Sequence, residues 1–135
     1  MSCNSGLNNS GAARYQRATA GNVANLALFQ KFTDFMDYFE PIVNRFPSYE
    51  KNSLCVNIHN CMFRIMEKII KTNRSTNKTA GWYEVDTELE ILRVYVHRSR
   101  KRGSKYLSIR SYETAVKNLS EVGRILGGLI KKGNQ

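Results

Sequence analysis

The sequence predicts an all-α protein, an up-down-up-down bundle of four helices. Apolar residues recur at steps of three and four through four successive segments, which is the spacing of one helix face. Turn signals are few, and Pro41 and Pro47 are the only prolines in 135 residues. The length fits one domain. We predict a flexible polar tail over residues 1–24, rich in Asn, Ser, Gly and Ala, and the bundle over residues 25–135.

The first predicted helix covers residues 25–45. Its apolar stripe comprises Leu28, Phe32, Phe35, Phe39, Ile42 and Phe46. Pro41 lies inside this helix, and because proline lacks the backbone N–H that an interior residue donates, we expect it to kink the helix or end it early. Pro47 blocks further helix, and Ser48 is placed to cap the next one.

The second predicted helix covers residues 49–72, and the polar residues 73–79 form a turn. Its core stripe comprises Leu54, Ile58, Cys61, Met62, Ile65 and Ile69. The third predicted helix covers residues 80–102 and ends at Gly103, a residue typical of helix C-termini. Its stripe comprises Trp82, Val85, Leu89, Leu92, Val96 and Ser99.

The fourth predicted helix covers residues 109–132, with Ser108 as its N-cap. Its stripe comprises Tyr112, Val116, Leu119, Val122, Leu126 and Ile130. Gly123, Gly127 and Gly128 interrupt the helical pattern, and each costs about 1 kcal/mol relative to alanine. Either another helix approaches closely at these glycines, or Gly127 and Gly128 loosen the helix end.

Two of the predicted helices carry a second apolar face, away from the core stripe. These residues are Val56, Phe63 and Ile70 on the second helix, and Ile91, Val94 and Tyr95 on the third. A helix that is apolar most of the way round is usually buried most of the way round. We therefore expect these six residues to form the interface of a homo-oligomer; a wide core face or scattered exposed residues are the alternatives.

Charge is the strongest bulk signal, with 21 Lys and Arg against 11 acids, a net charge of +10 and a pI near 9.8. Such an excess favours a polyanionic partner, nucleic acid ahead of an anionic membrane or an acidic protein. The densest cluster, with no acid inside it, lies at the junction of the third and fourth helices: Arg98, Arg100, Lys101, Arg102, Lys105 and Arg110. Tyr106 lies within it and could stack on a base or pack at the end of the bundle.

Two further sets of cations are candidates for phosphate contacts. One is a stripe seven residues apart on the fourth helix, namely Arg110, Lys117, Arg124 and Lys131. Glu113 and Glu121 interrupt this stripe and can pair with its bases, so an ordinary solvated face explains it equally well. The other set is Arg64, Lys68 and Lys71 on the second helix.

Motifs for catalysis or metal binding are missing from the sequence. Cys55 and His59 share a helical face, but neither a Cys-x-x-Cys nor a His-Glu-x-x-His motif accompanies them, so we predict no metal, cofactor or catalytic site. Three cysteines without a signal peptide predict reduced thiols in the cytoplasm. No apolar run approaches the ~20 residues that span a bilayer, so we predict no membrane partner.

Three segments carry a resemblance to a known family. Residues 119–128 read Leu-Ser-Glu-Val-Gly-Arg-Ile-Leu-Gly-Gly, Phe46-Pro47 opens the second helix, and the third contains Leu89-Glu90-Ile91-Leu92. With these, residues 26–132 resemble the accessory variability determinant (Avd) proteins of diversity-generating retroelements. Avd proteins belong to a larger four-helix-bundle family that includes the ribosomal RNA intervening-sequence proteins. Leu129 departs from the tryptophan that relatives often have there.

The resemblance implies a barrel-like pentamer that associates with the retroelement reverse transcriptase. It also implies binding of RNA, and possibly DNA, in support of mutagenic cDNA synthesis, with no catalytic residues and no small-molecule substrate. Two alternatives remain open. One is a protein-interaction bundle of the intervening-sequence type without intrinsic RNA binding. The other is a small helical ribonuclease that depends on His97.

Overall fold

The computed structural model of the protein describes residues 23–134. Four α-helices form the fold: α1 (Val23–Asn44), α2 (Val56–Asn73), α3 (Thr79–Lys101) and α4 (Ile109–Gly133). Each helix packs against the next, α4 closes against α1, and residues 23–134 contain no strand. The predicted all-helical fold with four helices is confirmed. The predicted tail over residues 1–24 lies, up to residue 22, outside the described residues.

The core lies along the axis of the bundle. Every residue of the stripes predicted for the second and third helices is buried, which confirms both stripes. In α1 the rings of Phe35 and Phe39 stack with centroids 5.2 Å apart, and Phe32 lies 6.1 Å from Phe35. These three phenylalanines are fully buried. Aromatic side chains of this size contribute much of the apolar area that stabilises so small a domain.

The predicted stripe of the first helix is wrong at Ile42, and that of the fourth is wrong at Val116 and only half-buried at Tyr112 and Ile130. In α1, Val43 is fully buried and Ile42 only partly. In α4, Val116 is 41% exposed, while Ala115 is buried in its place. The true α4 stripe contains Ala115, Leu119, Val122, Leu126 and Leu129. It shares three residues with the predicted stripe, so a period of 3.6 residues fits both.

The connection between α1 and α2 differs most from the prediction. The α1 helix does not end early at Pro41 but continues to Asn44. Ser48 is the first residue of a 3₁₀ turn whose N-cap is Pro47, and Cys55 is the N-cap of α2, so the predicted role of Ser48 is wrong. A 3₁₀ turn over Ser48–Glu50 leads into a π turn over Lys51–Cys55 instead. This wider turn buries Leu54, Cys55 and the side chain of Glu50 together.

Both predicted ends around the α3–α4 connection are confirmed. Gly103 follows α3 with a φ of +119°, a left-handed conformation that side chains other than glycine rarely adopt. Ser108 Oγ accepts a hydrogen bond of 3.1 Å from the backbone N–H of Ser111 and so caps α4. Within residues 23–134, no helix has the length and apolar character needed to cross a bilayer.

Candidate nucleic-acid interface

The antiparallel fold brings two crossovers to the same end of the bundle. The first is the connection over residues 45–55; the second comprises the last turn of α3, the connection over residues 102–108 and the start of α4, residues 98–110 in all. We call this the basic end, because its cations are Arg45, Lys51, Arg98, Arg100, Lys101, Arg102, Lys105 and Arg110. Six of them form the predicted junction cluster. Arg45 and Lys51 are exposed and were not predicted from the sequence, because they lie in another crossover, distant along the chain.

One buried carboxylate, that of Glu50 in the first crossover, contacts the second crossover. Glu50 is 3% exposed and accepts hydrogen bonds from Tyr106 Oη at 2.7 Å and from Ser53 Oγ at 2.6 Å. Arg102 Nη1 donates to its Oε2 and forms an ion pair with it. The hydrogen bonds from Ser53 and Tyr106, together with the positive charge of Arg102, hold the pKa of Glu50 below its usual value despite burial.

This carboxylate changes the interpretation of the junction cluster. The cluster contains no acid in the sequence, but the fold inserts Glu50 into it and neutralises Arg102. Tyr106 is buried, with its ring centroid 5.0 Å from that of Phe46, so it packs at the end of the bundle and presents no face to a base. Burial, more than the neighbouring Glu50, raises the pKa of Tyr106, so its hydroxyl remains a donor.

Most other cations of the basic end face solvent. Arg100 is half-buried, and its Nη1 donates to the carbonyl of Leu107 at 3.0 Å, which holds the second crossover in place. The exposed cations of this crossover that form no ion pair with any residue of the 23–134 segment are Arg98, Lys101, Lys105 and Arg110. A phosphate that binds one of these four cations therefore displaces no carboxylate from it.

The stripe on α4 is partly neutralised. Arg124 pairs with Glu121 at 3.2 Å, as the spacing predicts, and both side chains are exposed. Exposed pairs of this kind contribute about 0–1 kcal/mol, so a phosphate can replace the carboxylate at little cost. Lys117 and Lys131 are exposed and lack a carboxylate within 4.0 Å in the described part of the chain, and the acid Glu113 likewise lacks a cation there.

The cations of α2 mostly face the acids of α3. Arg64 lies 3.3 Å from Glu88, and Lys68 lies 2.9 Å from Glu84. Lys71 is exposed and lines a groove of about 450 Å³ between α2 and α3, far along the bundle from the basic end. The structure therefore does not join the α2 set to the junction cluster. Two of the three α2 cations, Arg64 and Lys68, form ion pairs with α3.

Four of the six residues predicted for an oligomer interface are exposed in the single chain. Phe63 is 42% exposed, and Val94 is 52% exposed. Val56 and Ile91 are also exposed, whereas Ile70 and Tyr95 are half-buried. Tyr95 packs against the core. The exposed members therefore lie on two neighbouring helices, α2 and α3.

Family membership follows from the sequence of the bundle as a whole. The sequence model of the bAvd-like family matches residues 26–133. The chain belongs to the bAvd-like family. Among curated proteins, none matches the chain. The matched span contains all twelve predicted nucleic-acid-binding residues and all six predicted interface residues. Membership indicates an accessory, non-catalytic protein of the retroelement type.

The histidines and cysteines within residues 23–134 of this bAvd-like protein form contacts typical of a helical bundle. Cys55 Sγ lies 3.6 Å from the carbonyl of Val43, and His59 Nε2 lies 3.2 Å from Asn44 Oδ1. His97 Nδ1 lies 3.5 Å from the Tyr112 hydroxyl. Among residues 23–134, no group of three or more His, Cys, Asp or Glu side chains is arranged to hold a metal ion.

Proposed function

We propose that this bAvd-like protein is a basic, oligomeric scaffold that binds template RNA and associates with the reverse transcriptase of its retroelement. In this role it supports mutagenic cDNA synthesis in the cytoplasm without catalysing a reaction itself. Family membership supports the retroelement context. The basic end supports the nucleic-acid partner, because exposed cations are concentrated there with one acid, Glu50, already engaged in buried contacts.

The proposed binding acts through phosphates. Arg98, Lys101, Lys105 and Arg110 offer charge-assisted hydrogen bonds to backbone oxygens, which give affinity and orientation but read no sequence. Lys117, Arg124 and Lys131 continue the cationic surface down α4, over a helix length of roughly 30 Å at 1.5 Å per residue. Such contacts suit RNA and also DNA, and their strength falls steeply with salt.

Oligomerisation strengthens this proposal. We place the interface at the exposed Val56, Phe63, Ile91 and Val94, because apolar side chains left exposed on the single chain are the ones that a second copy can bury. The family resemblance favours a pentamer. Five chains would carry a formal charge of about +50, and a field of that size concentrates polyanions at the surface.

The decisive experiment measures the affinity of the purified protein for a labelled single-stranded RNA across a salt series. We compare Arg98→Gln/Lys101→Gln with Lys31→Gln/Arg74→Gln, which removes the same charge from exposed sites outside the basic end. The first pair should flatten the slope of log K against log salt by about 1.4, since each contact to a single strand contributes about 0.7. The control pair should leave the slope close to that of the wild type.

Association with the enzyme is tested by co-purification with the reverse transcriptase of the same retroelement, with and without template RNA. Recovery of a complex supports the proposal. An RNA affinity that does not change with salt, or equal effects of the two variant pairs, would refute the phosphate mechanism. Negligible RNA binding by the purified protein would favour a protein-interaction scaffold of the intervening-sequence type.

A further inference from the structure

Glu50 is the only charged side chain that is buried in the described part of the chain. It lies at the basic end, where an acid opposes the binding of a polyanion. Burying a carboxylate is costly unless it is paired and hydrogen-bonded, and Glu50 is both. Its partners are specific: Arg102, Tyr106 and Ser53 all donate to its two oxygens.

These contacts connect two segments that are far apart in the chain. Glu50 belongs to the first crossover, between α1 and α2, and Arg102 and Tyr106 belong to the second, between α3 and α4. The ring contact between Phe46 and Tyr106 joins the same two crossovers through apolar atoms. The carboxylate and its donors therefore link the two crossovers, and we call this set of contacts the Glu50 clamp.

We propose that Glu50 is a positioning residue of the nucleic-acid surface, which holds the two crossovers together so that one phosphate chain contacts both. In this arrangement Arg45 and Lys51, from the first crossover, bind phosphates alongside Arg98 and Lys101 from the second. This inference rests on the proposed function, and it adds Arg45 and Lys51 to the residues that bind nucleic acid.

Removal of Glu50 is expected to change RNA affinity in the direction opposite to that expected from charge alone. Simple electrostatics predicts that removing an acid from the basic end strengthens RNA binding, all the more because it frees Arg102 for a phosphate. If Glu50 is a clamp, its removal lets the crossovers separate, and the first crossover no longer reaches the phosphates. Each phosphate contact to a single strand raises the affinity about fivefold between 1 M and about 0.1 M salt. A variant that loses one contact loses that factor at about 0.1 M salt.

The test compares Glu50→Ala with Glu121→Ala, which removes the same charge from an exposed acid paired with Arg124. With a labelled single-stranded RNA at about 0.1 M salt, Glu50→Ala should bind about fivefold more weakly for each phosphate that the first crossover no longer holds, with a flatter salt slope. Glu121→Ala should bind as tightly as the wild type or more tightly. Melting by circular dichroism checks that both variants are folded at the assay temperature.

Tyr106→Phe provides a second test in which no charge changes. It removes one hydroxyl donor to Glu50 and keeps the ring against Phe46, so a weaker RNA affinity than the wild type supports the clamp even if Glu50→Ala does not fold. Wild-type affinity in Tyr106→Phe, or unchanged or tighter binding in a folded Glu50→Ala, would overturn the inference while the wild type still binds RNA. A wild type that does not bind RNA would instead overturn the proposed function, and with it this role of Glu50.

Discussion

Gly81, in the first turn of α3, packs directly against α2. A Cβ at this position would lie 2.3 Å from Thr72 Oγ1, 2.6 Å from its Cγ2 and 2.9 Å from its Cβ. Thr72 is 5% exposed, and its short, β-branched side chain has little freedom to rotate away. An alanine at position 81 therefore requires the backbones of α2 and α3 to separate, and Gly81→Ala should destabilise the fold.

The size of the effect follows from two opposing contributions. Extra volume in a packed site costs about 1–3 kcal/mol. Replacing glycine by alanine in a helix gains at most about 1 kcal/mol, and less in the first turn. The net loss is about 1–2 kcal/mol, and each kcal/mol lowers Tm by about 4 °C in a domain of this size.

Gly127→Ala is the matched control, because it makes the same chemical change in α4. A Cβ on Gly127 meets no heavy atom within 4 Å in the described structure. Only the helix propensity then changes, so this variant should gain up to about 1 kcal/mol and melt at a higher temperature. The two glycines are thus expected to shift Tm in opposite directions.

Thermal and urea unfolding, followed by circular dichroism, measure both variants. A rescue variant tests the cause: Thr72→Ala removes Oγ1 and Cγ2, so it should recover most of the stability that Gly81→Ala forfeits, although it destabilises the wild type. Such non-additivity is expected for residues in contact. The close contact with Thr72 is not the reason for a glycine at position 81 if Gly81→Ala is as stable as the wild type. The same conclusion follows if Thr72→Ala lowers the free energy of unfolding equally in the wild type and in Gly81→Ala.

Three further predictions concern other regions. Phe63→Ser should lower the mass measured by size-exclusion chromatography with light scattering, whereas Ile109→Ser, an equally exposed site away from the α2 and α3 faces, should not. Because the pKa of Glu50 lies below its usual 4.5, its ionised form stabilises the fold above about pH 4.5. This contribution disappears as pH falls through the lowered pKa. Below about pH 4.5 the midpoint of urea unfolding should therefore depend less on pH in Glu50→Ala than in the wild type. Burial, aided by Glu88, raises the pKa of Cys61 from 9.0 to about 11, so the contribution of this thiol to stability is full below pH 9 and declines as pH rises toward 11. Iodoacetamide should label Cys61 only after denaturation. Rapid labelling of the native protein would contradict this.

The helical fold was predictable because each helix has to bury one stripe. In the second and third predicted helices the core stripes, from Leu54 to Ile69 and from Trp82 to Ser99, are buried at every position. In α4 two overlapping stripes fit, and the choice between Ala115 and Val116 depends on how closely neighbouring helices approach. Periodicity along one helix does not contain that distance.

The buried centre of the basic end was not predictable from local pattern. Glu50 lies between Tyr49 and Lys51 near the start of a predicted helix, where an acid looks like an ordinary solvated residue. Its partners Arg102 and Tyr106 lie 52 and 56 residues away in sequence. Only the packing of two crossovers makes this contact, and for that reason the junction cluster looks free of acids in the sequence.

The distribution of charge along α3 decides which cations remain available to a polyanion. The first half of α3 carries Glu84 and Glu88, which neutralise Lys68 and Arg64 on α2. The last turns of α3 carry bases instead, and the single acid of the basic end lies inside the bundle, already paired with Arg102. A phosphate chain that approaches the basic end therefore displaces no exposed carboxylate there, whereas along α2 it competes with an existing ion pair at two of three sites. If the proposed function is correct, we expect the basic end to bind a polyanion more strongly than the α2 side does.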